Sequence, residues 1–238
     1  MDKTNLNFNL NLTIDNPKLL IGLITAENVL VSDAPPDLKD LIDNNIINKL
    51  KSQNNVNSGI DGIDGIDAKY KTAIRKLLKE FGFKPTGRNK PASEYLFQSV
   101  LKNQEFFYIN NVVDINNYVS LYSQLPISTI DLDNTSKNLE IRAGLEGEKY
   151  VFNTSGQSID LKHLLCVCDI VDNESCPIAN PIKDSMQTKI QNETSNILGV
   201  VYASKEVISD EELIKVLEVF DDCLRKYAKA THTKIWTL

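Results

Sequence analysis

Apolar positions recur along this chain in two patterns. From Ala68 to Phe81, the residues Tyr70, Ile74, Leu77 and Phe81 stand 4, 3 and 4 apart, which predicts a helix with one apolar stripe. Gly82 follows and supplies the left-handed residue that ends it. After the capping box Ser209-Asp-Glu-Glu212, Leu213, Leu217, Phe220, Leu224 and Tyr227 repeat at 4, 3, 4 and 3, which predicts a second such helix. Pro91-Ala-Ser-Glu94 opens a further helix with Leu96, Val100 and Leu101 inward. Asp114 to Tyr122 makes another, with Asp114 as N-cap and Pro126 barring continuation. Pro35-Pro36 breaks the chain, and a polar helix is expected to follow it as far as Lys51. Shorter apolar runs are rich in β-branched residues and read as strands: Lys18–Thr25, Leu139–Ala143, Lys149–Phe152, Leu164–Val171 and Ile197–Ala203. Helices come first, strands dominate the middle and a helix closes the chain. That order favours an α+β fold with a mixed or antiparallel sheet packed with helices.

Asparagine makes up about a tenth of the 238 residues and gathers in Asn5–Asn16 and Asn44–Asn57. The second tract runs into a triplet repeat, Ile60-Asp-Gly, Ile63-Asp-Gly, Ile66-Asp-Ala, which lacks the alternating acidic ligands and terminal Glu of an EF-hand. Low complexity of this kind marks a surface loop, expected over 51–67. Residues 1–17 read as an N-terminal tail and 18–238 as a single domain.

The formal charge of −6 argues against a broad nucleic-acid face and against DNA, and leaves room for a narrow contact with an RNA end. No run of about 18 apolar residues exists and the N-terminus lacks signal-peptide form, so no membrane span and a cytoplasmic location are expected. The four cysteines read as free thiols. Cys166 and Cys168 lie two apart in a strand, on one face, as small packed groups rather than metal ligands. Dinucleotide, phosphate-loop, nucleophile-elbow and zinc-protease motifs are absent, so neither cofactor nor metal is expected. Nothing in the sequence fixes an oligomeric state.

Polar clusters remain at segment boundaries: Asp114–Asn117, Ser128-Thr129-Ile-Asp131-Leu-Asp133, Glu146-Gly-Glu148, and Asn180-Pro-Ile-Lys183-Asp184-Ser185 with Thr188, Thr194 and Asn196. Singly, each reads as caps, turns and strand ends. In order, they resemble the B3/B4 domain of the bacterial phenylalanyl-tRNA synthetase beta subunit. Asn111-Val-Val-Asp114-Ile-Asn-Asn117-Tyr-Val, then Leu125-Pro-Ile-Ser-Thr-Ile-Asp131-Leu-Asp133, is similar to the family's Val-Val-Asp-x-Thr-Asn-Tyr-Val and Gln-Pro-x-His-x-Phe-Asp-Leu-Asp. Leu139–Glu148, Leu164–Asp169 and Glu193-Thr194-Ser-Asn196-Ile-Leu198 follow its later strands and turns. Upstream, Phe83-Lys-Pro85, Ser93 and Ile109–Asp114 look like the stand-alone relatives of that domain. The resemblance spans about residues 68 to 228.

The resemblance implies a three-layer fold and a pocket. In the synthetase, the domain accepts the 3′ end of a tRNA wrongly charged with tyrosine and hydrolyses the ester. Here Asn116 and Asn117 fall on the family's Thr-Asn pair, and the pocket is expected to draw on Asn116, Asn117, Ser128, Asp131, Glu148, Asn196 and Val200. Two positions depart from the family. Ser128 stands where its editing His stands, and Val200 where its editing Glu stands. Ser128 is therefore expected to be a filler, and hydrolysis is left open beside a binding module that kept the fold alone. The synthetase's aminoacylating portion has no counterpart in this sequence, so ligase activity is not expected of it. The implied partner is an aminoacyl-tRNA 3′ end or an amino-acid-like ligand.

Overall fold

The computed structural model describes residues 8–48, 66–87 and 89–238. Its centre is a four-stranded sheet ordered β10-β2-β9-β3, made of β2 (Leu19–Glu27), β3 (Ile127–Asp131), β9 (Ile197–Ser204) and β10 (His232–Thr237), all antiparallel neighbours. Every residue of β2, β3 and β9 is buried. Continuous burial explains why β2 reads as an unbroken apolar run rather than an alternation. A second sheet, ordered β1-β4-β7-β8, joins β1 (Asn9–Leu12) parallel to β4 (Asn138–Ala143) and runs antiparallel through β7 (Leu165–Val171) to β8 (Glu174–Ala179). A small ribbon pairs β5 (Lys149–Val151) with β6 (Ser158–Asp160).

Helices complete an α+β architecture of three layers. They are α1 (Pro36–Ile42), α2 (Ala68–Glu80), α3 (Ala92–Asn103), α4 (Asn111–Ser123) and α5 (Asp210–Tyr227). The long α5 packs on β2 and β10 and against α4, which packs on β3. The capping box forms as the sequence predicts, and Leu213, Leu217, Phe220, Leu224 and Tyr227 are all buried. Close approach of α5 to the sheet needs glycine beneath it: a Cβ at Gly22 would meet Leu213 at 3.1 Å, and one at Gly199 would meet Phe220 at 2.8 Å. The alternate residues of the same strands face the far layer, where α2 meets β9 and the second sheet meets β3. Arg75 of α2 holds the buried Glu94 of α3 through two hydrogen bonds of 2.7 and 2.6 Å, which fixes α3 beside the core.

Several expectations need correction. Asp114 is not an N-cap. Its helix starts three residues earlier, and Asn110 caps it by accepting from the Val113 N–H at 2.9 Å. Part of the expected tail is structural, because Asn9–Leu12 adds a strand to the edge of β4. The expected polar helix is α-helical over Pro36–Ile42 and continues as a π-helical turn over Asp43–Ile47, while its expected end at Lys51 lies outside the described residues. Most of the expected 51–67 loop lies outside the described residues, but Ile66 is buried and Asp67 caps α2 through the Lys69 N–H. Cys166 and Cys168 are free and buried. Among the described residues, no helix is long and apolar enough to cross a membrane.

Candidate functional site

Strand β3 is an edge strand, and the chain does not leave its edge open. Beyond β8, residues 180–190 fold beside it, and the Ser128 hydroxyl ties β3 to this loop through Asp184 and the Asn180 carbonyl. Asn180 shapes this loop. Its Oδ1 accepts from the N–H groups of Ile182 and Lys183 at 2.8 and 2.9 Å, and its Nδ2 donates to the Tyr150 hydroxyl. That hydroxyl in turn donates to the Lys183 carbonyl at 2.6 Å. The Ala92 N–H donates to the Pro181 carbonyl at 2.8 Å, which ties the start of α3 to the same loop.

Between α3, α4, the β3 edge and this loop lies a cavity of about 680 Å³. Leu96, Val113, Ile127, Ile182 and Ile190 give it an apolar wall. Its polar lining comes from Asn116, Asn117, Thr129, Asn180, Asp184 and Lys189. Lys183 also lines it, with its ammonium 4.1 Å from the centre of the Phe152 ring. An apolar vessel with a few convergent polar groups is the usual form of a small-molecule site.

Asn116 and Asn117 both line the cavity but differ in role. Asn116 is 9% exposed, and its Oδ1 accepts from Thr129 Oγ1 at 2.9 Å. Its Nδ2 donates to Asn117 Oδ1 at 3.2 Å. Asn117 is half-buried, and its Nδ2 has no hydrogen-bond partner among the described residues.

Ser128 points to the opposite face of β3 and stands one side chain behind the cavity. Its Oγ lies 2.6 Å from Asp184 Oδ1, 3.2 Å from the Asn180 carbonyl and 3.1 Å from the Tyr202 hydroxyl. Asp184 also accepts from its neighbour Asn180 N–H at 3.3 Å. Burial pushes its carboxyl up to about 7, against the pull of these hydrogen bonds and the Lys189 charge.

The other expected positions lie outside the cavity. Val200 pairs across from Ser128, is completely buried and packs in the core. Asp131 is also buried. It accepts from the Asp133 N–H at 2.9 Å, Asn134 Nδ2 at 2.7 Å and Thr194 Oγ1 at 2.7 Å, which ties a turn together. Asn196 donates to Asp133 at 2.6 Å in the same brace. Glu148 pairs with Arg142 at 2.6 Å on the second sheet, and this bond holds its carboxyl below the usual range. Asp131, Glu148 and Asn196 all take partners inside the protein, which is why a cluster of turn residues can resemble a site. Conversely, Thr129, Asp184 and Lys189 line the cavity without being expected there, although Thr129 and Asp184 both stand within polar clusters of the sequence. What places them at the cavity is long-range pairing that spacing along the chain does not reveal.

The model of the B3/4 domain matches residues 80–217, more than half of the chain. The chain belongs to the B3/4 domain family. Among similar curated proteins are phenylalanine–tRNA ligase beta subunits. That of Streptococcus pneumoniae is 31% identical over 121 residues, covering 49% of this chain and 14% of the relative. That of Streptococcus thermophilus is 32% identical over 122 residues, covering 50% and 15%. That of Fusobacterium nucleatum is 33% identical over 115 residues, covering 48% and 14%. The chain thus spans about a seventh of the length of these relatives. An N-terminal fragment of the phenylalanyl-tRNA synthetase beta subunit from Pyrococcus horikoshii is similar with a TM-score of 0.41 and 14% identity, over 52% of this chain and 40% of that one. The B3/4 match covers α3, α4, β3 and the 180–190 loop, every element that lines the cavity.

Proposed function

We propose that this B3/4 domain binds the aminoacylated 3′ end of a tRNA, or a small amino-acid ester of the same chemistry. The cavity carries the reading. It has room for an amino acid joined to a ribose, an apolar wall for the side chain and the Asn117 amide for the polar end. The relatives are phenylalanine–tRNA ligase beta subunits, a name that couples them to phenylalanine and tRNA. Lys183 and Lys189 offer a small positive contact for a phosphate, which suits a protein of charge −6 that lacks a wide basic face. A cytoplasmic setting fits such a partner.

A binding module that has lost the family's chemistry is the second reading, and Val200 favours it. A completely buried valine at the position of the editing Glu can neither recognise a phenol nor orient water. The test is equilibrium binding of non-hydrolysable aminoacyl-adenosine amides carrying each proteinogenic side chain. At least one should bind and be competed by the matching charged tRNA. The variant Val113→Trp, which fills the cavity, should lose it. If no member of the panel binds, the reading fails.

A further inference from the structure

We propose that Asp184 is the general base of an ester hydrolysis in this cavity, and that Ser128 is its positioning residue. This rests on the reading that the cavity takes an aminoacyl ester. Among the described lining residues, Asp184 is the single carboxylate. Its Oδ1 is held by Ser128 Oγ at 2.6 Å and by the Asn180 N–H at 3.3 Å. Tyr202 of β9 and Tyr150 of β5 also face it, and their hydroxyls are pushed well above 10 by burial, so they stay neutral. The Lys189 ammonium is the charge that opposes protonation of Asp184. A carboxyl that titrates at about 7 is matched to proton transfer at neutral pH.

Ser128 has one proton and two acceptors for it. When Asp184 is ionised, Ser128 donates to Oδ1 at 2.6 Å. When Asp184 is protonated, the carboxyl can donate to Ser128, whose own proton turns to the Asn180 carbonyl at 3.2 Å. Tyr202, at 3.1 Å, can donate to Ser128 in both states. The hydroxyl at the family's His position is therefore a switchable partner for the carboxyl, not a filler.

In the step, ionised Asp184 takes a proton from a water as the water oxygen bonds to the ester carbonyl carbon. The carbonyl electron pair moves onto its oxygen, where the Asn117 amide can donate. Collapse restores the C=O and breaks the bond to the ribose oxygen, which receives the proton from Asp184. The products are an amino acid and a tRNA with a free terminal hydroxyl, and Asp184 is ionised again.

The experiment measures deacylation of a panel of mischarged tRNAs, from about pH 5.5 to about 8.5, by the full chain and by Asp184→Asn, Ser128→Ala and Ser128→Thr. The unchanged chain should hydrolyse at least one ester, at a rate that rises with pH around the Asp184 titration at about 7. Asp184→Asn should be slower by about 100-fold or more while still binding the amide probes. Ser128→Ala should stay active with its midpoint moved to higher pH, because it loses a donor that favours the ionised form. Ser128→Thr should restore the midpoint. A chain that binds the probes but hydrolyses no ester overturns this inference and leaves the binding reading standing. No binding and no hydrolysis overturns both. An Asp184→Asn protein with undiminished rate removes the base, and an unmoved midpoint in Ser128→Ala removes the positioning role.

Discussion

Asn116 and Asn117 are neighbours in sequence, yet truncating each should have different effects. Asn116 is the acceptor for Thr129 Oγ1, which is 9% exposed, so Asn116→Ala leaves a nearly buried hydroxyl without its partner. It should cost about 1–3 kcal/mol of stability in chemical denaturation. Asn117→Ala removes only the 3.2 Å acceptor for Asn116 Nδ2, an amide that lines the cavity and can turn to water there, so it should cost less than about 1 kcal/mol and weaken the amide probe by up to about tenfold. Equal stability losses for the two variants would contradict this division. The asparagine pair was legible through the family resemblance alone, since the helix begins at Asn111 and both residues lie inside it. Asp131, Glu148 and Asn196 were equally conspicuous and proved to be internal braces. A polar residue beside a turn looks the same in sequence whether its partner is a ligand or the protein.

At the scale of elements, α5 was legible because its stripe and capping box agree with the face it buries. Strand β3 was not, since Ser128, Thr129 and Asp131 read as turn chemistry. Their buried polar atoms are satisfied across 52 and 63 positions of sequence, to Asn180 and Thr194, and at shorter range to Asn116. Strand β10 escaped notice because its residues are mostly half-buried at a sheet edge. The joint between α5 and β9 allows a sharp test. A Cβ at position 199 would lie 2.6 Å from Ile24 Cγ2 and 2.8 Å from Phe220 Cε1. Gly199→Ala should therefore cost about 1–3 kcal/mol by overpacking. Phe220→Ala, at a completely buried ring, should cost about 3–5 kcal/mol. The double variant should lose less than the sum, because the vacated ring space admits the new methyl. Strict additivity in urea titrations would mean that the two sites do not touch.

Across the whole molecule, buried carboxyls and surface ion pairs pull stability in opposite directions with pH. Asp114 is completely buried, accepts from the Ile109 N–H at 2.9 Å through Oδ1, and has no partner for Oδ2 among the described residues. Burial pushes its carboxyl up to about 6, and that of Asp184 to about 7, from the ordinary 3.8. A raised carboxyl means that the folded state holds the proton more tightly than the unfolded chain. The stability it contributes is full below about pH 3.8 and is lost as pH rises through about 6 and 7. Glu80, Glu148 and Glu206 are held low by Lys18, Arg142 and Lys76, so their contributions are lost instead as pH falls below the ordinary range. The two groups together place the stability maximum on the acid side of neutrality. Thermal melts should show the midpoint temperature falling as pH rises from about 5 to about 8. Asp114→Asn should flatten the lower part of that fall, because an amide can still accept from Ile109 and carries no charge to bury. Its gain in stability near pH 8 should be on the order of 3 kcal/mol, given a shift from 3.8 to about 6 at about 1.4 kcal/mol per unit. A midpoint that climbs steadily from pH 5 to 8 would show that neither carboxyl is held in its protonated form by the fold.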